Sequence, residues 1–244
     1  MPRSLRLTYP GAMQHVTMRC NNKEFLFEPE SLRLFIALLY ECCDRFRVPL
    51  YNYCLMTNHV HLLFKVLDDG VLSDFMQRLA NVFAKKFNAL KGRKGHLWEE
   101  RFHSTIVEEG DAFLRCMAYI DLNPLRARMV PSPEQHPWSG HCDLRDANDS
   151  LLTMHDLYLR LGKRPTWRYA AYRRLLEQEL ATEPFSLAFA LFFGTPEFTR
   201  DLQARFRLTD TNRHRIRRIP LRGGLEAVEL VRGGGFKPRH QRPA

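Results

Sequence analysis

The sequence lacks every cysteine pattern that staples a small domain or builds a structural zinc site. Six cysteines are present (Cys20, Cys42, Cys43, Cys54, Cys116 and Cys142), and none forms a C-x-x-C pair. Their spacing suggests neither a disulfide framework nor a metal knuckle, so they read as small residues among apolar neighbours. No apolar run reaches the roughly 18 residues of a membrane helix. The first residues, MPRSLRLTYPGAMQH, lack the continuous apolar core of a secretory signal, so a cytoplasmic protein is expected. There is no internal repeat. Acidic residues are also in short supply, with 27 Asp and Glu against 37 Lys and Arg, a formal net charge of +10. An excess of this size excludes little about the fold but points to a polyanionic partner, nucleic acid being the commonest.

The basic charge is uneven. Residues 211–244 carry nine Lys and Arg against only Glu226 and Glu229. Such a tail reads as solvated and disordered, which would not stop it gripping phosphates. The remainder is globular in composition, and 244 residues suit one large domain, or one ordinary domain with an appendage.

Periodicity orders the first half. MQHVTMRC (13–20) reads as a strand. EPESLRLFIALLYECCDRF follows as a helix, with Pro29 and Glu30 in its first turn and Leu32, Phe35, Ile36, Leu39 and Cys43 at three-to-four spacing. VPLYNYCLMT (48–57) and HVHLLFKV (59–66) are strands joined at Thr57-Asn58, and should pair as a hairpin. LSDFMQRLANVFAKKFNALKG is amphipathic, with Gly92 and Gly95 flanking its end. A fourth strand (102–109) and a helix (111–123) follow, the latter stopped by Pro124. The order matches the split βαβ of an α+β, ferredoxin-like antiparallel sheet with helices on one face. Three regions are expected: a nuclease-like unit over 1–145, a helix-only accessory region over 150–208, and the basic tail over 209–244. HPWSGHCDLRDANDS serves as the linker, and EPFSLAFALFFGTPEFTRDLQARF as a helical hairpin turning at Gly194–Pro196.

One strand carries chemistry. In NHVHLLF, alternation places His59 and His61 on a common face and Val60 on the other. Two neutral imidazoles so placed can share an ion, although a half-exposed strand with two wet histidines gives the same pattern. Farther on, Tyr119 and Asn123 stand four apart on a predicted helix and therefore share a face. Asn123 is either a helix-end cap or an oxygen ligand. A tyrosine hydroxyl, with an ordinary pKa near 10, is only about 0.1% phenolate at neutral pH, so as a nucleophile it needs a base or an electrophile-activating metal. A divalent ion beside it would align a phosphate for in-line attack and a covalent phosphotyrosine link.

These segments carry a resemblance. MTNHVHLLF is similar to the histidine–hydrophobe–histidine motif of the HUH endonucleases. YIDLNPLRARMV resembles the catalytic-helix segment of the REP-associated tyrosine transposases, single-tyrosine relatives of the IS200-type transposases. HVTMRCNN and GHLWEERFHS resemble that family's first-strand and Trp-x-x-Arg-Phe segments, so the likeness spans roughly residues 5–140. It implies cleavage and rejoining of single-stranded DNA at a palindromic, hairpin-forming repeat. It implies Tyr119 as the nucleophile taking a 5′-phosphate, and His59, His61 and Asn123 as ligands of Mg²⁺ or Mn²⁺. No ATP or other cofactor is implied. A monomer or homodimer, nucleoid-associated and without membrane contact, would fit, with the tyrosine acting in its own chain or in a partner.

Other residues suit contact with DNA. Lys85, Lys86, Lys91, Arg93 and Lys94 gather at the end of the second helix, as phosphate contacts or as solvated cations that offset the helix dipole. Trp98, Arg101 and Phe102 offer stacking and phosphate contacts, with core packing as the alternative for Phe102. Arg126 and Arg128 follow the tyrosine helix, and Arg19 ends the first strand. His15, His96 and His103 read as packing or surface residues. Two other functions fit the same pattern. One is a non-catalytic single-strand nucleic-acid binder on a ferredoxin-like sheet. The other is a hydrolytic nuclease in which water attacks.

Overall fold

The computed structural model describes residues 7–23, 27–146, 151–210 and 214–232. Its strands are β1 (Met13–Arg19), β2 (Leu50–Leu55), β3 (His59–Lys65), β4 (His103–Val107), β5 (Ala190–Gly194), β6 (His214–Pro220) and β7 (Glu226–Arg232). The helices are α1 (Pro29–Phe46), α2 (Val71–Leu90), α3 (Asp111–Asp121), α4 (Asn123–Arg126), α5 (Gly140–Asp146), α6 (Asp156–Leu159), α7 (Pro165–Leu180) and α8 (Pro196–Arg205). All strands join one sheet in the order β2-β3-β1-β4-β5-β7-β6, and only the β4–β5 pair is parallel. The first four strands have the ferredoxin-like order, so the α+β expectation holds, but the helices are not confined to one face, because α3 packs opposite α1 and α2.

Alternation along the strands sorts side chains into two layers. Phe64 points to the side where α1 and α2 lie, its ring centroid 5.1 Å from that of Phe75. α1 packs on α2 through Phe35 and Phe83, edge to face at 5.0 Å. The other side carries His59, His61 and Asn52, and α3 crosses it, with the Asn52 amide donating to the Met117 carbonyl at 3.2 Å. α1 starts at Pro29, where Ser31 Oγ accepts the Glu28 N–H at 2.9 Å, and ends with Arg47 in the left-handed region. α3 breaks at Leu122, and Pro124 sits in the first turn of the short α4, where its missing N–H costs nothing.

The second half differs from expectation. Residues 150–208 are not helices alone, because Ala190–Gly194 forms β5, parallel to β4. Phe192 and Phe193 are both fully buried, one on each face of the sheet. A short apolar run buried on both sides has no period that separates strand from helix, which explains the misreading. The turn at Gly194–Pro196 is present and leads into α8, whose N-cap Thr195 accepts the Phe198 N–H at 3.3 Å. The basic stretch is likewise not disordered over 214–232, where β6 and β7 pair as a hairpin and extend the sheet. Residues 211–213 and 233–244 of that stretch lie outside the described residues.

The polar stretch expected as a linker is packed instead over residues 136–146, and residues 147–150 of it lie outside the described residues. His136 Nε2 meets the Leu55 carbonyl at 3.0 Å, Ser139 Oγ donates to the His136 carbonyl at 3.0 Å, and Ser139 bridges to Cys54. The segment thus covers the outer edge of β2, and its polar residues are buried because the backbone satisfies them. Among the described residues no helix is long and apolar enough to cross a membrane.

Candidate active site

Register decides which side chains meet. β1 runs antiparallel to β3 with Thr17 opposite His61 and Arg19 opposite His59. His15, two residues from Thr17, therefore lies diagonal to His61 on the same face. The ring of His61 is 5.0 Å from that of His59 and 5.3 Å from that of His15. α3 lowers Tyr119 onto this group, its ring 5.9 Å from His61 and 5.7 Å from His15, edge-on to both. His15, His61 and Tyr119 are 1%, 4% and 8% exposed.

Burial holds the imidazoles neutral. It lowers His15 to about 3, with a further push from His103, and His59 to about 4, aided by the Arg19 charge. His61 falls well below the usual value, through burial first and then its histidine neighbours. Neutral imidazole is the form that binds metal. The outer nitrogens are also ordered. Asn58 Oδ1 lies 2.7 Å from His59 Nδ1, which makes that nitrogen the donor and leaves Nε2 with its lone pair. His61 Nε2 is buried with no hydrogen-bond partner in the structure. An orphaned buried nitrogen beside a second open imidazole suits a cation. Asn123 donates its amide N–H to the Tyr119 carbonyl at 2.8 Å, so its oxygen is the ligand-type atom. Among the described residues no group of three or more His, Cys, Asp or Glu is placed to hold an ion, so a third ligand has to come from an amide or from solvent.

Burial raises the pKa of Tyr119, while hydrogen bonds from the Leu187 backbone and the Ser186 side chain pull it down, as does the Arg126 charge. Phe185 covers the ring at 5.4 Å. The segment 185–187 thus closes over the hydroxyl.

α3 is clamped on both flanks. On one side Asp121 accepts from Asn52 Nδ2 at 2.9 Å and Tyr172 OH at 2.6 Å, and meets His141 Nδ1 at 3.3 Å. Tyr169 OH lies 3.0 Å from His141 Nε2 and extends the chain. On the other side Arg115, one turn before Tyr119, donates to Glu179 Oε1 at 3.0 Å and to the Arg222 carbonyl. Arg222 itself reaches Glu179 at 2.6 Å.

Of the remaining sequence-predicted residues, Arg19 reaches the histidines electrostatically and Arg126 half-buries beside Tyr119, donating to the Glu179 carbonyl at 3.3 Å. The loop after α2 runs beside the end of β1 through a Cys20–Trp98 bridge and a Glu99 N–H to Arg19 carbonyl bond of 2.9 Å, which brings Arg101 to that end. Trp98, expected to stack on a base, packs on Phe27 and Phe83 and gives its indole N–H to the Ala80 carbonyl at 3.0 Å. Exposed Lys85 and Lys86 stand on α2, across the sheet from the histidines, with Lys94 exposed in the loop beyond. Arg93 stacks its guanidinium over Phe87 at 5.9 Å. Arg128 is exposed and takes a left-handed backbone.

Sequence reasoning missed His15, Ser186 and Leu187. The signal for His15 was its parity with Arg19 on β1, which became informative only once the β1–β3 register was fixed.

Residues 8–123 match the family model described as Transposase IS200 like, so that segment of the chain is similar to the IS200-like transposases. Among solved structures, the chain is similar to a REP-associated tyrosine transposase bound to a REP hairpin, at 16% identity and a TM-score of 0.52, over 64% of this chain and 93% of that one. A transposase-like protein of Deinococcus radiodurans aligns at 17% identity and a TM-score of 0.36, over 53% of this chain and 92% of its own. None of the curated proteins matches the sequence.

Proposed function

We propose that this protein cleaves and rejoins single-stranded DNA beside a hairpin, with Tyr119 as the nucleophile. The observation that carries the reading is the placement of Tyr119, 5.9 Å ring to ring from His61, whose Nε2 has no partner and whose neighbour His59, 5.0 Å away, also keeps its Nε2 open for an ion. His59, His61 and the Asn123 oxygen would hold Mg²⁺ or Mn²⁺, which when bound polarises the scissile phosphate. The Tyr119 oxygen forms a bond to phosphorus as the bond from phosphorus to the DNA 3′-oxygen breaks. The phenolic proton leaves Tyr119, and the departing oxygen gains one to become a free 3′-OH. The 5′-phosphotyrosine keeps the bond energy, so the reverse attack rejoins a strand without ATP. Segment 185–187 has to be displaced before a phosphate reaches the hydroxyl. Arg19, Arg101, Arg126 and Arg128 would contact phosphates near the cut, and Lys85, Lys86, Arg93 and Lys94 the DNA beyond it. The hairpin preference rests on the likeness to the transposase bound to a REP hairpin, and a cytoplasmic, nucleoid-associated monomer or homodimer accords with such a substrate.

The test is covalent trapping. The protein is incubated with Mn²⁺ and a labelled hairpin flanked by single strands, then denatured. A labelled protein band that Tyr119→Phe abolishes is the expected result. Cleavage that survives Tyr119→Phe would sink the nucleophile assignment and favour attack by water. Hairpin binding without cleavage under any divalent metal would favour a non-catalytic binder.

A further inference from the structure

We infer that His15 is a positioning residue that holds His61 in the tautomer able to bind a metal. The inference deepens the reading above and rests on its assignment of His61 as a ligand.

His15 Nε2 and His61 Nδ1 are 3.0 Å apart, and their ring planes differ by 3°. With centroids 5.3 Å apart, the rings lie edge to edge in one plane, as a directed N–H···N bond requires. Each neutral imidazole has one N–H and one lone pair, so only two arrangements are possible. If His15 donates, His61 carries its proton on Nε2, and that nitrogen cannot take an ion. If His61 donates, its Nδ1 is the protonated atom and Nε2 keeps the lone pair. Both His61 Nε2 and His15 Nδ1 are buried and otherwise without partners. An ion on Nε2 satisfies one of the two and selects the second arrangement.

The neighbouring ligand is built the same way. Asn58 Oδ1 takes the Nδ1 proton of His59 at 2.7 Å. Each histidine thus has its own acceptor at Nδ1, an amide oxygen for His59 and a histidine for His61. Outer acceptors of this kind fix the ring and raise ligand basicity, and their loss costs about 10- to 100-fold in metal affinity. The groups facing His15 leave it little alternative. Tyr119 stands edge-on at 5.7 Å, and Thr105, opposite in register on β4, commits its hydroxyl to the Ala190 carbonyl at 2.6 Å. His103 also points its Nε2 to that carbonyl, at 2.8 Å.

The experiment titrates Mn²⁺ into the full chain by calorimetry, with His15→Leu and His15→Gln beside wild type. Gln can present an acceptor near the former Nε2, whereas Leu keeps bulk without one. His15→Leu should weaken Mn²⁺ binding about 10- to 100-fold, and His15→Gln should recover most of that loss. Hairpin binding in EDTA should be unchanged in both. In parallel, long-range ¹⁵N–¹H correlation on histidine-labelled, metal-free wild type should show His61 protonated on Nδ1. Equal Mn²⁺ affinity in His15→Leu and wild type would overturn the inference, as would equal losses in the two variants. If His15→Leu does not fold, the tautomer decides, and a proton on Nε2 refutes the proposal. Wild type that binds no Mn²⁺ instead removes the metal-site reading itself, whatever Tyr119 does in the trapping assay.

Discussion

Tyr172→Phe tests whether the clamp on α3 is energetic as well as geometric. Tyr172 is fully buried on α7, and its hydroxyl donates to Asp121 Oδ2 at 2.6 Å, at the C-terminal end of α3. Phenylalanine fills the same space, so the change deletes one hydrogen bond and opens almost no cavity. Asp121 keeps Asn52 and the longer 3.3 Å contact to His141, but one oxygen loses its best donor away from water. A hydrogen bond to a carboxylate contributes about 1.5–3 kcal/mol, so a loss of that size is expected. At about 2–4 °C per kcal/mol for a chain of this size, the melting midpoint should fall by roughly 3–12 °C. Tyr40→Phe is the control, because Tyr40 is 64% exposed, and it should change stability by less than about 0.5 kcal/mol. Urea unfolding followed by tryptophan fluorescence measures both. Tyr172→Phe should also slow trapping at Tyr119 more than it weakens hairpin binding, because it loosens the helix that carries the proposed nucleophile. A stability loss no larger than that of Tyr40→Phe would refute the argument that Asp121 is held through this bond.

In metal-free protein, burial holds His15 at about 3 and His59 at about 4, below the ordinary 6.5, and His61 lower than ordinary as well. The unfolded chain therefore binds more protons below pH 6.5, and stability should fall as pH drops from there towards 3, by up to about 1.4 kcal/mol per pH unit for each histidine; a flat denaturation profile from pH 6.5 to 4 would contradict the burial argument. Arg215 and Arg217 project from β6 into solvent, and changing both to Gln should lower the slope of log affinity against log salt on a duplex hairpin stem by about 0.9 for each phosphate contact removed. An unchanged slope in fluorescence anisotropy would take β6 out of the interface. Gly194→Ala should destabilise the β5–α8 turn by about 1–3 kcal/mol, because the new methyl would sit 2.6 Å from the Phe198 ring and 2.7 Å from Glu108 Cβ. Thermal melting within 1 °C of wild type would show that the turn relaxes.

The first half of the fold was legible because its signals are local. Alternation gave the strands, three-to-four spacing gave α1 and α2, and Thr57-Asn58 marked the hairpin. The shared face of His59 and His61 followed from strand period alone. What stayed hidden depended on long-range pairing. ALFFG has no internal period to reveal that it lies parallel to β4, and HRIRRIP reads as a charged tail until β7 pairs with it. His15 joined the site only through a register set 46 residues away in sequence. Ser186 and Leu187 reached Tyr119 through a loop that no motif marks. Trp98 shows the reverse error, since an aromatic beside arginines is equally a core residue, and here its N–H is consumed by a backbone carbonyl.

The clamp on α3 also separates two boundaries that are easily taken as one. The match to the transposase family model ends at residue 123, and it contains the proposed nucleophile and its three proposed metal ligands. Yet the partners of Asp121 and Arg115 include His141, Tyr172, Glu179 and the Arg222 carbonyl, all beyond that point. A chain ended at residue 123 would carry the proposed nucleophile and metal ligands with a buried carboxylate and a buried guanidinium stripped of most of their partners, each a cost of about 3–5 kcal/mol. It should fail to melt cooperatively, so the reach of sequence likeness would mark where the chemistry is encoded, and the last strands of the sheet would mark how much chain is needed to hold it still.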